Sequence, residues 1–320
     1  MRRLLAGIGL LVLATGAEAQ PVAVVPEPIG SFKRFSSSGD FGSLSWRGGL
    51  TLTSGDQHFG GFSGLVLGRN CEDLLAVSDR GNWLQARLIY EGDRPAGIAD
   101  AVMAPIRDSR GHEQKSKSWA DAEAVTRLSN GRIAVGFESR VRFGTYDIAG
   151  RGLDARFQPL PHPKDIDRGP ENGEIEALGE LPDGRLIAIA ERQTDDQGNI
   201  RGWAWKGRSV KNFSLERYDA YQVTDLAVHG DHVLTLERRF STGSLPGMAV
   251  RRFAIADIAE GKPVRPELLL EATAPFHVID NMEAIALCER QGETRITLMS
   301  DDNFNPSVQS TILLQFAYGR

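Results

Sequence analysis

One phrase recurs five times along this chain and constrains its fold more than any other feature. Its clearest copy spans residues 174–192. An apolar run, 175–181, meets Pro182-Asp183-Gly184, and a second apolar run, 186–190, ends in Glu191-Arg192. Proline presets φ and glycine accepts φ > 0, so Pro-Asp-Gly between apolar runs reads as a tight turn and the copy as a β-hairpin. Glu176 near the start of the first strand and Glu191 at the end of the second then lie together at the hairpin's open end.

The other copies are 62–67 with 74–80, then 121–138, then 223–228 with 232–238, and finally 281–287 with 295–302. Aligning Ser63, Glu123, Glu176, Asp225 and Glu283 gives spacings of 60, 53, 49 and 58 residues. A period of this size built on short strands marks a repeat architecture. Without amphipathic helices between the strands, the expected fold class is all-β, and the expected architecture is a β-propeller.

Strand-like segments at 44–52 and 310–318 flank the repeats, and neither carries a full copy. If the two share one blade they close the ring and remove an open sheet edge. Five copies plus a shared blade predict six blades; five blades is the alternative. Segments 83–90, 141–148, 202–206 and 248–255 alternate as half-exposed outer strands do. The loops 105–120, 158–173, 193–201 and 239–247 are polar and rich in Gly, Pro and Asp, and binding residues collect on such loops.

Net charge is −5 and no basic cluster appears, which argues against a nucleic-acid partner. Arg2-Arg3, an apolar stretch at 4–13 and Ala17-Glu18-Ala19 read as a signal peptide cleaved after Ala19. The apolar stretch falls short of the roughly 20 residues a membrane span needs. The expected organisation is a signal peptide at 1–19, an extended segment at 20–41 and a single propeller domain at 42–320. The protein is expected to be exported to the periplasm or beyond the cell, as a monomer with no membrane span. Export would permit a disulfide between Cys71 and Cys288, but two buried free thiols are the plainer expectation.

Each copy carries acids, or a substitute, at the hairpin's open end: Ser63 and Asp79, Glu123 and Glu138, Glu176 and Glu191, Asp225 and Glu237, Glu283 and Asp301 with Asp302. So many like charges at one mouth repel one another and need compensation. A hard cation such as Ca²⁺, which takes about six to eight oxygen ligands, would supply it. So would the arginines that follow the strand-ending acids: Arg80, Arg140, Arg192, Arg238 and Arg239. Arginine near a metal also suits a phosphate, which it binds as a fork. Two other matches fail. Residues 61–65 begin like a nucleophile elbow but lack its last glycine. Residues 165–176 lack the fifth-place ligand and the sixth-place glycine of a Ca²⁺-binding EF loop.

Several phrases resemble the phytase-like family described as "esterase-like activity of phytase". They are residues 59–65 with 76–81, Glu176-Ala177-Leu178 with 181–186, 236–240, and above all 280–285 with 300–306. The resemblance covers roughly residues 42–318. It implies an exported β-propeller that hydrolyses esters or phosphoesters, with the repeated acids in its site; the first copy departs by carrying Ser63. The leading expectation is therefore a hydrolase of a small anionic ester, a phosphoester before other esters, with a Ca²⁺-type ion at the channel mouth. Glu176 and Glu191 are the candidate bases, and Arg192 and Arg238 the candidate anion holders. Asp79, Glu123, Glu138, Asp225, Glu237, Glu283, Asp301 and Asp302 are the candidate metal ligands. The alternatives are a lactone or sugar-ester hydrolase using the same ion, and a non-catalytic propeller that binds a ligand or a protein.

Overall fold

The computed structural model describes residues 19–36, 39–168, 175–240 and 245–319. Residues 1–18 of the proposed leader lie outside the described residues. No described helix is long and apolar enough to cross a membrane.

The chain forms a β-propeller of five blades. The first blade holds Phe62–Leu67, Asp73–Ser78, Asn82–Glu91 and Arg94–Pro105, with Gln20–Pro21 added at its outer edge. The second holds Ala122–Arg127, Ile133–Phe137, Arg142–Tyr146 and Gln158–Leu160, and the third Ile175–Glu180, Leu186–Thr194, Ile200–Lys206 and Ser209–Leu215. The fourth holds Gln222–His229, His232–Arg239, Gly247–Ala254 and Glu267–Thr273. Every sequential pair within a blade is antiparallel, as short turns demand. The first strands of successive blades touch in a closed cycle around the central channel, so the five hairpin copies are the inner hairpins.

The expectation of six blades is corrected here. The terminal strands make no blade of their own; they complete the blade of the fifth copy. Asn281–Arg290, Glu293–Asp301 and Thr311–Tyr318 continue outward into Leu44–Ser54 and then Val24–Ile29. The fifth copy brings only three strands from its own end of the chain, and the N-terminal strands supply the outer ones. The shared-blade closure foreseen from sequence holds; the count was one too high because that blade was added to the copy it belongs to.

The cores lie between blades. Four apolar clusters fill the seams, with fully buried Trp83, Trp203 and Trp205 among them. In the seam between the fifth and first blades, Cys71 and Cys288 form a disulfide, which corrects the expectation of free thiols. The two cysteines are 217 residues apart in sequence, yet ring closure brings their Cα atoms to 5.2 Å.

Candidate functional site

All five inner hairpins share one irregularity. In each, the strand register slips by a residue near the open end, leaving one residue of the first strand unpaired. Such a bulge re-aims a side chain. The bulged residues are Ser63, Glu123, Glu176, Thr224 and Glu283. One position beyond the residue paired with the bulge's N-terminal neighbour come Asp79, Glu138, Glu191, Arg238 and Asp301. The fourth blade therefore presents Thr224 and Arg238, where aligning Asp225 and Glu237 had placed acids. Strand side chains alternate between faces, so a slip of one residue exchanges the two faces.

The structure accordingly does not bring Glu237 or Asp225 into the acid ring. Glu237 is buried on the opposite face, where it accepts hydrogen bonds from Arg251 Nε at 2.7 Å and Thr235 Oγ1 at 2.9 Å. Asp225 is fully buried and accepts from the backbone N–H of Leu226 and of Ile285 in the next blade, both at 2.8 Å. Burial pushes both carboxyls above their usual range, against the hydrogen bonds they accept. Asp225→Ala would leave two buried amides without partners, so it should cost about 1–3 kcal/mol in a denaturant melt. Bound-ion stoichiometry should stay unchanged, and a lost ion would put Asp225 back in the ring.

The remaining acids converge. Ligand oxygens of Glu138, Glu176 and Glu191 all lie within 4.8 Å of one another, as do those of Asp121, Glu123 and Glu138. Glu138 belongs to both groups. Glu191 is almost inaccessible and is gripped by two guanidiniums: Arg192 Nε lies 2.9 Å from Oε2 and Arg238 Nη2 3.3 Å from Oε1. Gln222, in the amide orientation that satisfies both its ends, donates to Glu191 Oε1 and accepts from Arg192 Nε. Arg238 also reaches Asn281 Oδ1 at 2.7 Å and Glu283 Oε1 at 3.1 Å. Among the described residues nothing donates to the buried Glu176 Oε2.

The electrostatics follow from this crowding. Burial pushes Glu176 well above the carboxylate range, helped by Glu191 and Glu283 and opposed by Arg238. Burial does the same to Glu123, helped by Asp121 and Glu138 and opposed by a hydrogen bond with Ser63. Glu283 is pushed up to about 8, by burial against the pull of Arg238, and Asp301 to about 7, by burial against a hydrogen bond from the Asn303 amide. Burial works against the charge of Arg238, but Glu283, Glu176 and Glu191 outweigh it and raise its pKa.

Asp79 and Asp302 stand toward the first blade. Asp302 Oδ1 accepts from the amides of Gly61 and Phe304, both at 3.1 Å, and so anchors the loop after the fifth copy. Arg80 stacks its guanidinium 3.4 Å above the centre of the Phe304 ring. Gly60 and Gly61 have φ of 129° and 63°, and a Cβ on Gly61 would lie 2.2 Å from Phe304 and 2.4 Å from Asp79 Oδ1. Only glycine fits where these side chains press on the backbone.

Comparison with known proteins places the chain. The model of the family Phytase-like, "Esterase-like activity of phytase", matches residues 57–304. The chain belongs to this phytase-like family. No curated protein matches it. Among solved structures, an alpha-L-arabinofuranosidase from Clostridium thermocellum aligns with this phytase-like chain at 10% identity and a TM-score of 0.40, covering 71% of this chain and 80% of that one. A thermostable family-43 glycoside hydrolase aligns at 9% identity and a TM-score of 0.48, covering 82% and 91%. U3-55K aligns at 9% identity and 0.42, covering 80% and 96%.

The residues of this phytase-like mouth fit a hard cation. The donors are all oxygens, which suits Ca²⁺ or Mg²⁺. Ligands of one Ca²⁺, each roughly 2.3–2.6 Å from it, lie at most about 5 Å apart, which matches both groups. The uncommitted Glu176 Oε2 is the kind of buried atom an ion would satisfy. Sequence reasoning missed Asp121, Gln222 and Thr224. Asp121, Gln222 and Asn281 each sit two residues before a bulge, a regularity visible once the fourth copy is aligned on Val223 and Leu226.

Proposed function

We propose that the mouth of this phytase-like propeller hydrolyses an ester, a phosphoester before a carboxylic ester, with a Ca²⁺-type cation held by Glu138, Glu176 and Glu191. The buried Glu176 Oε2, without a hydrogen-bond partner among the described residues and close to two other carboxylates, carries this reading. Once bound, the ion would neutralise substrate charge and polarise the phosphoryl oxygen. Arg192, about half exposed beside Glu191, offers its outer face to the anion. Arg238 supplies further positive charge, fixed by Asn281, Glu283 and Glu191. In its ionised form Glu283, beside Arg238 but outside the ion's ligands, takes the proton of the attacking water.

The test is hydrolysis of 4-nitrophenyl phosphate and 4-nitrophenyl acetate by the mature protein with Ca²⁺ or EDTA, alongside Glu176→Gln. The expected result is Ca²⁺-dependent turnover, faster on the phosphate, that falls roughly 100-fold or more in the folded variant, because the variant removes a ligand of the ion that stabilises the developing charge. Full activity in folded Glu176→Gln, or activity indifferent to EDTA, would remove this reading and favour the ligand-binding propeller.

A further inference from the structure

We propose that the cavity walled by the loop between the first and second blades binds an uncharged sugar ring against Trp119, so that the ester cleaved at the mouth is the ester of a sugar. The second clause rests on the proposed function; the sugar site itself stands on a separate set of residues.

The loop 105–120 is one of the polar loops that composition singles out. With Arg142 and Phe157 it encloses a cavity of about 400 Å³, within the range of small-molecule sites. Trp119 stands two residues before Asp121, one of the acids grouped with Glu138, so the cavity flanks the mouth.

Trp119 is the first ground. Of the five tryptophans it alone is exposed: Trp46, Trp83, Trp203 and Trp205 are buried, whereas Trp119 is 45% exposed. An indole left in water forgoes the burial that so large an apolar surface normally gains. It is nonetheless held in place. The guanidiniums of Arg140 and Arg142 lie 4.5 and 5.1 Å from the ring centre, and Arg142 Nη2 donates to the Trp119 carbonyl. A ring fixed before its ligand arrives loses little entropy on binding. The C–H face of a sugar ring, weakly positive, packs well on the electron-rich face of an indole.

The walls are the second ground, because their charges cancel. Asp108 and Glu113 are matched by Lys115 and Arg142, which favours neither an anion nor a cation. Arg142 is also committed elsewhere. It donates to carbonyl oxygens of Gln114, Trp119 and Arg140, which occupies three of its five N–H groups, and it lies 3.9 Å from the centre of the Phe137 ring. Gln114 turns its carbonyl to Arg142 at 2.8 Å, which leaves its NH₂ group without a partner among the described residues. The wall therefore offers donors on Gln114 and Lys115 and acceptors on Glu113. Hydroxyls both donate and accept, so a polyhydroxylated ring uses such a mixed wall fully, whereas an aromatic acid would use the donors alone.

The experiment is acrylamide quenching of tryptophan fluorescence in the mature protein, with methyl α-D-glucopyranoside, methyl α-D-galactopyranoside, methyl α-D-mannopyranoside or sodium benzoate added. Trp119→Phe should lose most of the quenchable emission, since the other tryptophans are buried. At least one glycoside should lower the quenching of the wild type saturably, roughly twofold or more, and benzoate should not. Shielding by none of the three glycosides, or by benzoate alone, overturns the proposal. The link to hydrolysis is read from kcat/KM. Trp119→Ala, at an exposed position that leaves the fold intact, should cut the preference for glucose 6-phosphate over glycerol 3-phosphate roughly tenfold, because the two share the bond cleaved and differ in the ring. An unchanged or absent preference overturns that link. The two readings fail separately. If glycosides shield Trp119 and no ester is turned over, the sugar site stands and hydrolysis at the mouth falls. If 4-nitrophenyl phosphate is hydrolysed with Ca²⁺ and no glycoside shields Trp119, hydrolysis stands and the sugar site falls.

Discussion

Replacing Cys71 and Cys288 together with alanine lowers the stability of the propeller by about 5 kcal/mol. The disulfide ties residues 217 apart, and cross-linking so long a stretch removes most from the entropy of the unfolded chain, in the chain-entropy account. Both sulfurs sit in the apolar seam between the fifth and first blades, so alanine also leaves small cavities there. A melting temperature on the order of 10 °C lower under non-reducing conditions is expected. Treating the wild type with a strong reductant should approach the same value, while the double variant ignores the reductant. A melt indifferent to both would mean that the sheet closure alone holds the ring.

Replacing Arg238 with methionine is expected to cost about 3–5 kcal/mol in the ion-free protein, because it strands buried acids that its guanidinium now pairs. The cost should depend on pH with a definite sign. Glu283 and Asp301 have carboxyls raised to about 8 and about 7, so the folded state holds their protons more tightly than the unfolded chain. Their contribution to stability is complete below the ordinary carboxylate range and is lost as pH rises through those values. In EDTA, wild-type stability should therefore decline from pH 5 to pH 9. Arg238 opposes that rise at Glu283, so the variant should decline more steeply. Denaturant melts at both pH values decide it: a loss equal at pH 5 and pH 9 would show that Arg238 acts by packing rather than charge.

Much of this was legible from residues. The turn signal Pro182-Asp183-Gly184 and the alternating apolar runs give hairpins at a regular period, and hairpins without helices give a propeller. What escaped was what the chain's two ends do to each other. Leu44–Ser54 looks like the start of a separate blade because nothing local reveals that its partner is Thr311–Tyr318. The pairing of Cys71 with Cys288 depends on the same long-range closure. At the site, acids at the hairpin mouths were visible, but the fourth copy was placed one residue out. Asp225 and Glu237 are acidic and adjacent to the right positions, so charge selects them where period-two alternation selects Thr224 and Arg238. Val223 aligns with Ile175 and Leu226 with Leu178, which makes Thr224 the counterpart of Glu176 and Arg238 that of Glu191. The fourth blade thus contributes the ring's own positive charge, a role charge counting alone could not locate.

The mixed parentage of the fifth blade also bears on how the molecule comes into being. Leu50 lies opposite Leu313 in the finished sheet, so the ladder that seals the circle joins segments from nearly opposite ends of the polypeptide. Until residues 311–318 exist, Leu44–Ser54 has a bare edge facing solvent, and the half-made protein presents a row of unpaired amides and carbonyls. Contacts so distant in sequence are slow to form. Synthesis and final assembly are therefore ordered events: four blades can arise from local hairpins as the chain emerges, and the fifth waits for the last strand.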